Sequence, residues 1–348
     1  MIPSFDIYVY TRDLEFLGII DFFKSLRWRR KYFESGEFEL HIPLNYQTVK
    51  YLQKDNIIIR EDAIENGIIE SWQISDNGEY VEVTIFGRFL SSILDRRIVK
   101  KRICFKGNVL DGERKILNEM TPFSKLEIEE PNIDSNNIVF QCTYKNVYNY
   151  LRKLAKNSNI AHRITADINK KKFIFSNYQG LDRTDNQTSN PRYEFSEDKS
   201  NIDESNYTYS AKEEKNWCLV GGTGEGVDRT IVEVKKGLYD DLDLKETFVD
   251  ASSEIKEEDT TDYEYEEILK NRGKENLLDV VETIEVTVYA DDYKKETGWD
   301  LGDVVNVKKE SWNVLMRQRI IEIEEVIEDG NQKIFATFGT PLAAPLED

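Results

Sequence analysis

Residues 68–90 read "IIESWQISDNGEYVEVTIFGRFL", and residues 320–342 read "IIEIEEVIEDGNQKIFATFGTPL". At a constant offset of 252 (320 minus 68), Ile68, Ile69 and Glu70 fall on Ile320, Ile321 and Glu322. Gly78 falls on Gly330, Phe86 and Gly87 on Phe338 and Gly339, and Leu90 on Leu342. In the first stretch Val81, Val83 and Ile85 alternate with Glu82 and Thr84, the period-two pattern of a half-buried strand. Asn77-Gly78 supplies the positive φ angles that a hairpin turn needs. A short β-rich run precedes each stretch, "DNIIIR" from Asp55 and "DVVNVK" from Asp303. Turn glycines and β-branched residues recur in unrelated hairpins, so chance similarity is the competing account. The reading adopted is a duplicated unit: two related β-domains in one chain.

Working outward, the first ~95 residues carry strand patterns throughout. Phe38, Leu40 and Ile42 alternate with Glu37, Glu39 and His41. Residues 96–206 change character. The spacing predicts a helix over 109–120, with Gly112 as a weak point, and another over 145–156. Val147, Leu151, Leu154 and Ala155 share one face of the second, which Asn157-Ser158-Asn159 should end. Strands are expected over 161–166 and 172–176, and a polar, turn-rich boundary over 182–206. From 207 the pattern is β again. An acidic, loop-like run over 238–261 and a helix over 263–271, stopped by Gly273, interrupt it. The fold class expected is α+β, mostly β. Its domains would be 1–95, 96–206, and 207–348 with an insertion at 238–273.

The chain has 348 residues and a formal net charge of -19. That charge opposes a nucleic-acid binder, which meets phosphates with a basic surface, and opposes docking on anionic lipid. It suits a wall past which DNA slides without sticking. Cys104, Cys142 and Cys218 are too few and too scattered for a disulfide framework. The start, "MIPSFDIYVY", lacks a basic stretch followed by an apolar one, and no run reaches membrane-spanning length, so neither a secretory signal nor a membrane anchor is expected.

Chemistry leaves few marks. "CLVGGTGEGVDRT", residues 218–230, is rich in glycine but fits neither phosphate-binding pattern. Val227 stands where the dinucleotide motif needs its third glycine, and also where a P-loop needs lysine. The stretch reads as strand, glycine hairpin, strand. His41 and His162 have no partner at metal-ligand spacing and read as structural. No carboxylate pair is marked out for a glycosidase, and the acidic run lacks the regular calcium-loop pattern. The basic run "LRWRRKY", Leu26 to Tyr32, mixes cations and aromatics and is read as a strand edge or subunit contact. No catalytic, cofactor-binding or metal residue is assigned.

Five segments in order carry a resemblance. They are "LGIIDFFKSLRWRRKYFESGEFELHIP" near the start, "YQGLDRT" at Tyr178, "NPRYEFS" at Asn190, "NWCLVGGTGEGVDRTIVEV" at Asn216 and "LGDVVNV" at Leu301. Together they resemble a siphophage tail protein family whose members are similar to the central baseplate hub of phage tails and phage-tail-like particles. The resemblance implies a non-enzymatic structural protein of the virion tail, assembled in the bacterial host cytoplasm. It implies a homotrimer in which each chain contributes two tail-tube-like β-barrels flanking an α/β domain. Implied partners are tail tube or distal tail proteins and spike or tip proteins, with DNA passing through the lumen but not held. The chain ends at Asp348 without space for a fused wall-degrading domain, so lytic activity is not expected. The rival readings are a cell-wall hydrolase using carboxylates of 96–200, and a carbohydrate-binding module using aromatics such as Tyr178 or Trp217.

Overall fold

The computed structural model describes residues 5–76, 78–256, 260–289, 292–328 and 330–339. Seven strands come first: β1 Ile7–Tyr10, β2 Phe16–Ile20, β3 Ser25–Lys31, β4 Glu37–Pro43, β5 Ile57–Arg60, β6 Asn66–Asp76 and β7 Val81–Phe89. They form because alternate positions are apolar: Leu26 and Trp28 in β3, Phe38, Leu40 and Ile42 in β4, and Val83, Ile85 and Phe89 in β7 are all buried. Each such side chain contributes roughly 1.5–3 kcal/mol on leaving water.

A mixed region follows: β8 Ile103–Asn108, α1 Val109–Glu119, β9 Leu126–Ile128, β10 Asn137–Cys142, α2 Val147–Ser158, β11 Ala161–Asp167 and β12 Lys172–Tyr178. Both helices start on an asparagine. The Asn108 side chain accepts from the Leu110 amide, and that of Asn146 from the Asn149 amide. The second helix ends at Asn159, in the left-handed region at φ 58°. Val147, Leu151, Leu154 and Ala155 are buried, as their spacing predicts. Gly112 is a close-approach position: a Cβ there would lie 2.8 Å from the Phe140 ring.

The remaining elements are β13 Glu194–Ser196, β14 Ile202–Ser210, β15 Trp217–Gly221, β16 Ile231–Lys235, β17 Glu246–Asp250, α3 Asp262–Lys274, β18 Val281–Val288, β19 Val304–Lys309, β20 Val314–Glu328 and β21 Asn331–Gly339. Two expectations are corrected here. The acidic run is not all loop, since β17 lies within it and pairs in parallel with β15. Gly273 does not stop the helix but lies inside α3, where a Cβ would meet Val234 at 2.7 Å and Val220 at 2.8 Å. Its missing side chain lets α3 pack on the β16-β15-β17 sheet.

The main sheet has thirteen strands, in the order β14-β18-β21-β20-β3-β4-β7-β6-β5-β1-β2, with β19 on β20 and β13 parallel to β19. The molecule is mostly β, and the sheet is open, ending at β14 and β2, with no closed barrel among the described residues. The basic run is not an edge. Strand β3 lies at the centre, paired with β4 on one side and with Glu322–Glu328 of β20 on the other. Arg29 bridges Glu322 and Glu324 of β20, and Arg30 pairs with Glu65 and Asp300, which explains a cationic strand in an acidic chain.

The two hairpins share one irregularity. In β6/β7 the register slips between Ile69↔Gly87 and Ser71↔Phe86; in β20/β21 it slips between Ile320↔Phe338 and Glu322↔Thr337. Just beyond the slip the same bonds recur. The Ile69 amide donates to the Asn56 carbonyl (2.8 Å) and its carbonyl accepts from the Asp55 amide (3.0 Å). Ile320 does so with Asp303 (2.8 Å) and Gly302 (2.9 Å). Asp55 and Gly302 both have positive φ, 70° and 92°. The equivalence thus runs at 251 (320 minus 69), one residue from the offset read off the letters. A one-residue shift exchanges the two faces of a strand. Only at 251 do buried Val83 and Ile85 fall on buried Ile334 and Ala336. The loops differ, Asp76 closing on Val81 and Glu328 on Asn331, with Asn77 and Asp329 outside the described residues, as is Leu342.

Candidate functional site

Strands β3 and β20 join the two halves of the sheet, and charge is concentrated at that seam. Arg30, on the inward face of β3, pairs with Glu65 (2.8 Å) and Asp300 (2.5 Å), and donates to the Tyr293 hydroxyl (3.0 Å). Burial works against this cation, but Glu65, Tyr293 and Asp300 outweigh it and hold its pKa well above the ordinary value. Arg60, at the end of β5, forms a buried pair with Glu325 of β20 and binds Asp62 at 2.6 Å. Its guanidinium also lies 4.4 Å from the Phe5 ring centre and 5.7 Å from that of Trp28. Tyr293 donates to Glu325 at 2.9 Å, and Lys294 reaches the same carboxylate at 3.4 Å. A buried ion network of this kind adds little net stability over an apolar seam, but breaking it leaves a stranded charge. Its partners come from β3, β5 and β20 and from the segments around Glu65 and 292–300, so it ties the two halves of the sheet together.

On the opposite face of the sheet lies a groove of about 340 Å³, lined by Arg27, Arg29, Arg88, Glu37, Glu39 and Glu70 among others. Arg29 bridges Glu37 (3.0 Å), Glu324 (3.1 Å) and Glu322 (3.4 Å). Arg88 bridges Glu70 (2.8 Å) and Asp95 (3.2 Å). A glycosidase needs one neutral carboxyl facing one ionised carboxylate across a bond to be cut. Here guanidinium groups hold Glu37, Glu70 and Glu324 as ion pairs, and the His41 imidazole holds Glu39, an arrangement that braces strands.

Three further titratable groups lie outside the seam and do not line the groove. His41 sits on the sheet between Glu39 (2.8 Å) and Glu82 (3.0 Å); partial burial opposes its proton, and those two carboxylates raise its pKa above the usual imidazole range. His162 is enclosed against the Phe175 ring, and burial pushes its pKa down to about 4. Glu113 of α1 is fully buried, and burial pushes its pKa up to about 8 against one hydrogen bond from the Asn177 amide (2.7 Å). Among the described residues no group of three or more His, Cys, Asp or Glu could hold a metal ion.

The glycine-rich stretch is a hairpin between β15 and β16, as its sequence predicts. Two of its amides serve the fold: Gly222 donates to Thr230, and Thr223 donates to the Tyr265 hydroxyl. Arg229 folds back onto the carbonyls of Gly221 and Gly222, each at 3.0 Å. A carbohydrate platform at Tyr178 or Trp217 is not offered by the geometry. Both are half-buried, and Tyr178 is packed edge-on against Tyr32 with Arg163 over its face.

Sequence reading missed the seam because its partners are far apart in the chain. A local signal existed: Arg30 and Glu325 occupy inward positions of strands whose other inward residues are apolar.

The fold is that of phage tail proteins. A tail protein from Neisseria meningitidis MC58 superposes with a TM-score of 0.63 at 12% identity, covering 97% of each chain. A 43 kDa tail protein of prophage MuSo2 from Shewanella oneidensis gives 0.61 at 13% identity, covering 96% of this chain and 98% of that one. Prophage tail protein gp18 from Listeria monocytogenes EGD-e gives 0.57 at 11%, covering 97% and 95%. The chain belongs to the Siphovirus ReqiPepy6 Gp37-like protein family, whose model matches residues 6–103 and 104–340. By sequence it is a member of this siphovirus family, and by fold it is similar to phage tail proteins. No curated protein matched the sequence.

Proposed function

We propose that this chain is the structural hub of a phage or phage-tail-like tail tip, joining the tail tube to the spike and tip proteins. It acts as a homotrimer. Each chain supplies two related sheet modules, so three chains present six, the number that seats on a sixfold tube. The observation that carries this is the repeated hairpin, with the same bulge and the same bonds to the preceding strand in both halves. The modules are open within one chain, and we take their barrel-like walls to be completed only in the ring. Three units organise the chain, at 1–95, 96–206 and 207–348, with the segment around 238–273 inserted in the last. The net charge of -19 keeps a DNA-conducting lumen from binding the phosphate backbone.

Light scattering on the purified protein, with immunolabelling of particle tips, tests this reading. The mass of three chains and label at the tip are expected. A stable assembly of another number, or absence from purified tails, contradicts it. A cell-wall zymogram should show no clearing; clearing lost on carboxylate substitution would replace the hub with a hydrolase.

A further inference from the structure

The repeat predicts where one copy meets the next. Inside the chain the second hairpin is covered on its outer edge: Glu322–Glu328 of β20 pair antiparallel with β3, from Glu322↔Lys31 to Glu328↔Ser25. The equivalent part of the first hairpin, Ser71–Asp76 of β6, has no such cover among the described residues. Strand β5 pairs only with Asn66–Ile68, and all six residues from Ser71 to Asp76 are exposed. The equivalent of β3 in the second half is β14. It stands outside β18 as β3 stands outside β4, and it is the free end of the sheet. Each chain therefore carries one half of a seam at β6 and the other half at β14.

We propose that Ser71–Asp76 of one copy pairs antiparallel with Ser205–Ser210 of the next, repeating between chains the β20–β3 pairing made within each. This rests on the reading of the chain as a ring-forming hub and names its contact. The register follows from the pairings on both sides of the repeat. Ser71 lies opposite Ser210 and Asp76 opposite Ser205, which sets Trp72 against Tyr209 and Ile74 against Tyr207. At the internal seam these four positions are Ile323, Glu325, Arg30 and Trp28, all buried. At the free edges Trp72 is 39% exposed, Ile74 51% and Tyr209 62%. Exposed edges are usually blunted with charge. The segments 71–76 and 205–210 carry Trp, Ile and Tyr with a single charge, Asp76, while Asp203 and Glu204 lie at the start of β14 outside the paired stretch. Aromatic–aromatic and aromatic–β-branched pairs across strands are favourable, and the free backbone groups gain partners. Because the two edges differ, the contact is head-to-tail and can close a ring.

Cysteine crosslinking of the full chain tests the register. The Tyr32 amide donates to the Ile321 carbonyl, so Glu324↔Arg29 is a non-hydrogen-bonded pair, and its equivalent is Gln73↔Thr208. Such pairs bring Cβ atoms closest and suit a disulfide. In a Cys104→Ser background, Gln73→Cys with Thr208→Cys should convert monomer into a ladder of oligomers ending at three chains under mild oxidation. Gln73→Cys with Ser205→Cys, whose thiols face opposite sides of the sheet, should not. Ile74→Lys should abolish association and leave the Tm of the dilute monomer unchanged, since in the monomer it alters only an exposed edge. Equal yields from the two cysteine pairs, or only monomer at the highest attainable concentration, overturn the proposal. A threefold ring that forms without the Gln73–Thr208 crosslink overturns this register and leaves the hub reading standing. The crosslink in a protein absent from tail tips does the reverse.

Discussion

Arg60 and Glu325 lie at the end of one module and in the middle strand of the other, both with side chains 1% exposed. Substituting Arg60→Ala leaves Glu325 buried with weaker compensation, and the expected loss is about 3–5 kcal/mol in urea unfolding. Arg60→Met with Glu325→Leu should recover most of it, because an apolar pair of similar volume leaves no charge stranded. Two other buried groups set a pH profile. The neutral form of Glu113 is favoured in the fold, its pKa lying near 8 against an ordinary 4.5. Its contribution is intact below 4.5 and is lost as pH rises toward 8, by up to about 1.4 kcal/mol per pH unit. Neutral His162, with a pKa near 4 against 6.5, contributes fully above 6.5 and loses that contribution as pH falls toward 4. Thermal melts across this range should therefore show Glu113→Gln raising Tm at pH 8 and leaving it unchanged at pH 4. His162→Gln should flatten the acid side only.

At the scale of elements, much was legible where pattern and local chemistry agree. Alternation located β4 and β7, helical spacing located α2, and asparagines mark the starts of α1 and α2. The hairpin repeat was visible too, but its offset was one residue out. The glycine and Phe-Gly matches align the letters, whereas the bulge and the buried face align the strands, and the turns differ between the two halves. Strand β17 was hidden by its acidic surroundings, since its pairing with β15 is set by tertiary contact and not by composition. β14 runs unbroken through position 206, so the polar composition there marks an exposed edge strand as well as a loop. Two glycines whose roles are packing and backbone conformation give a test. Gly302→Ala places a Cβ 2.3 Å from the Tyr32 ring at a φ of 92°, and should cost about 1–3 kcal/mol in denaturant unfolding. Gly273→Ala should separate α3 from its sheet and speed proteolysis between residues 238 and 280, while the main sheet keeps its cooperative unfolding.

At the scale of the whole molecule, the site lies along strand edges and not in a cleft. The charged seam joins two modules in one chain, and the edges at β6 and β14, rich in aromatic and aliphatic side chains, are its counterpart between chains. A tail component with this arrangement can present six similar modules from three chains. A reconstruction of the assembled tip by cryo-electron microscopy tests that most directly. The account predicts a threefold ring of six sheet modules, with the segment around Trp72 of each chain running antiparallel beside the segment around Tyr209 of the next. A ring of any other order, or one in which those two segments lie apart, would contradict it.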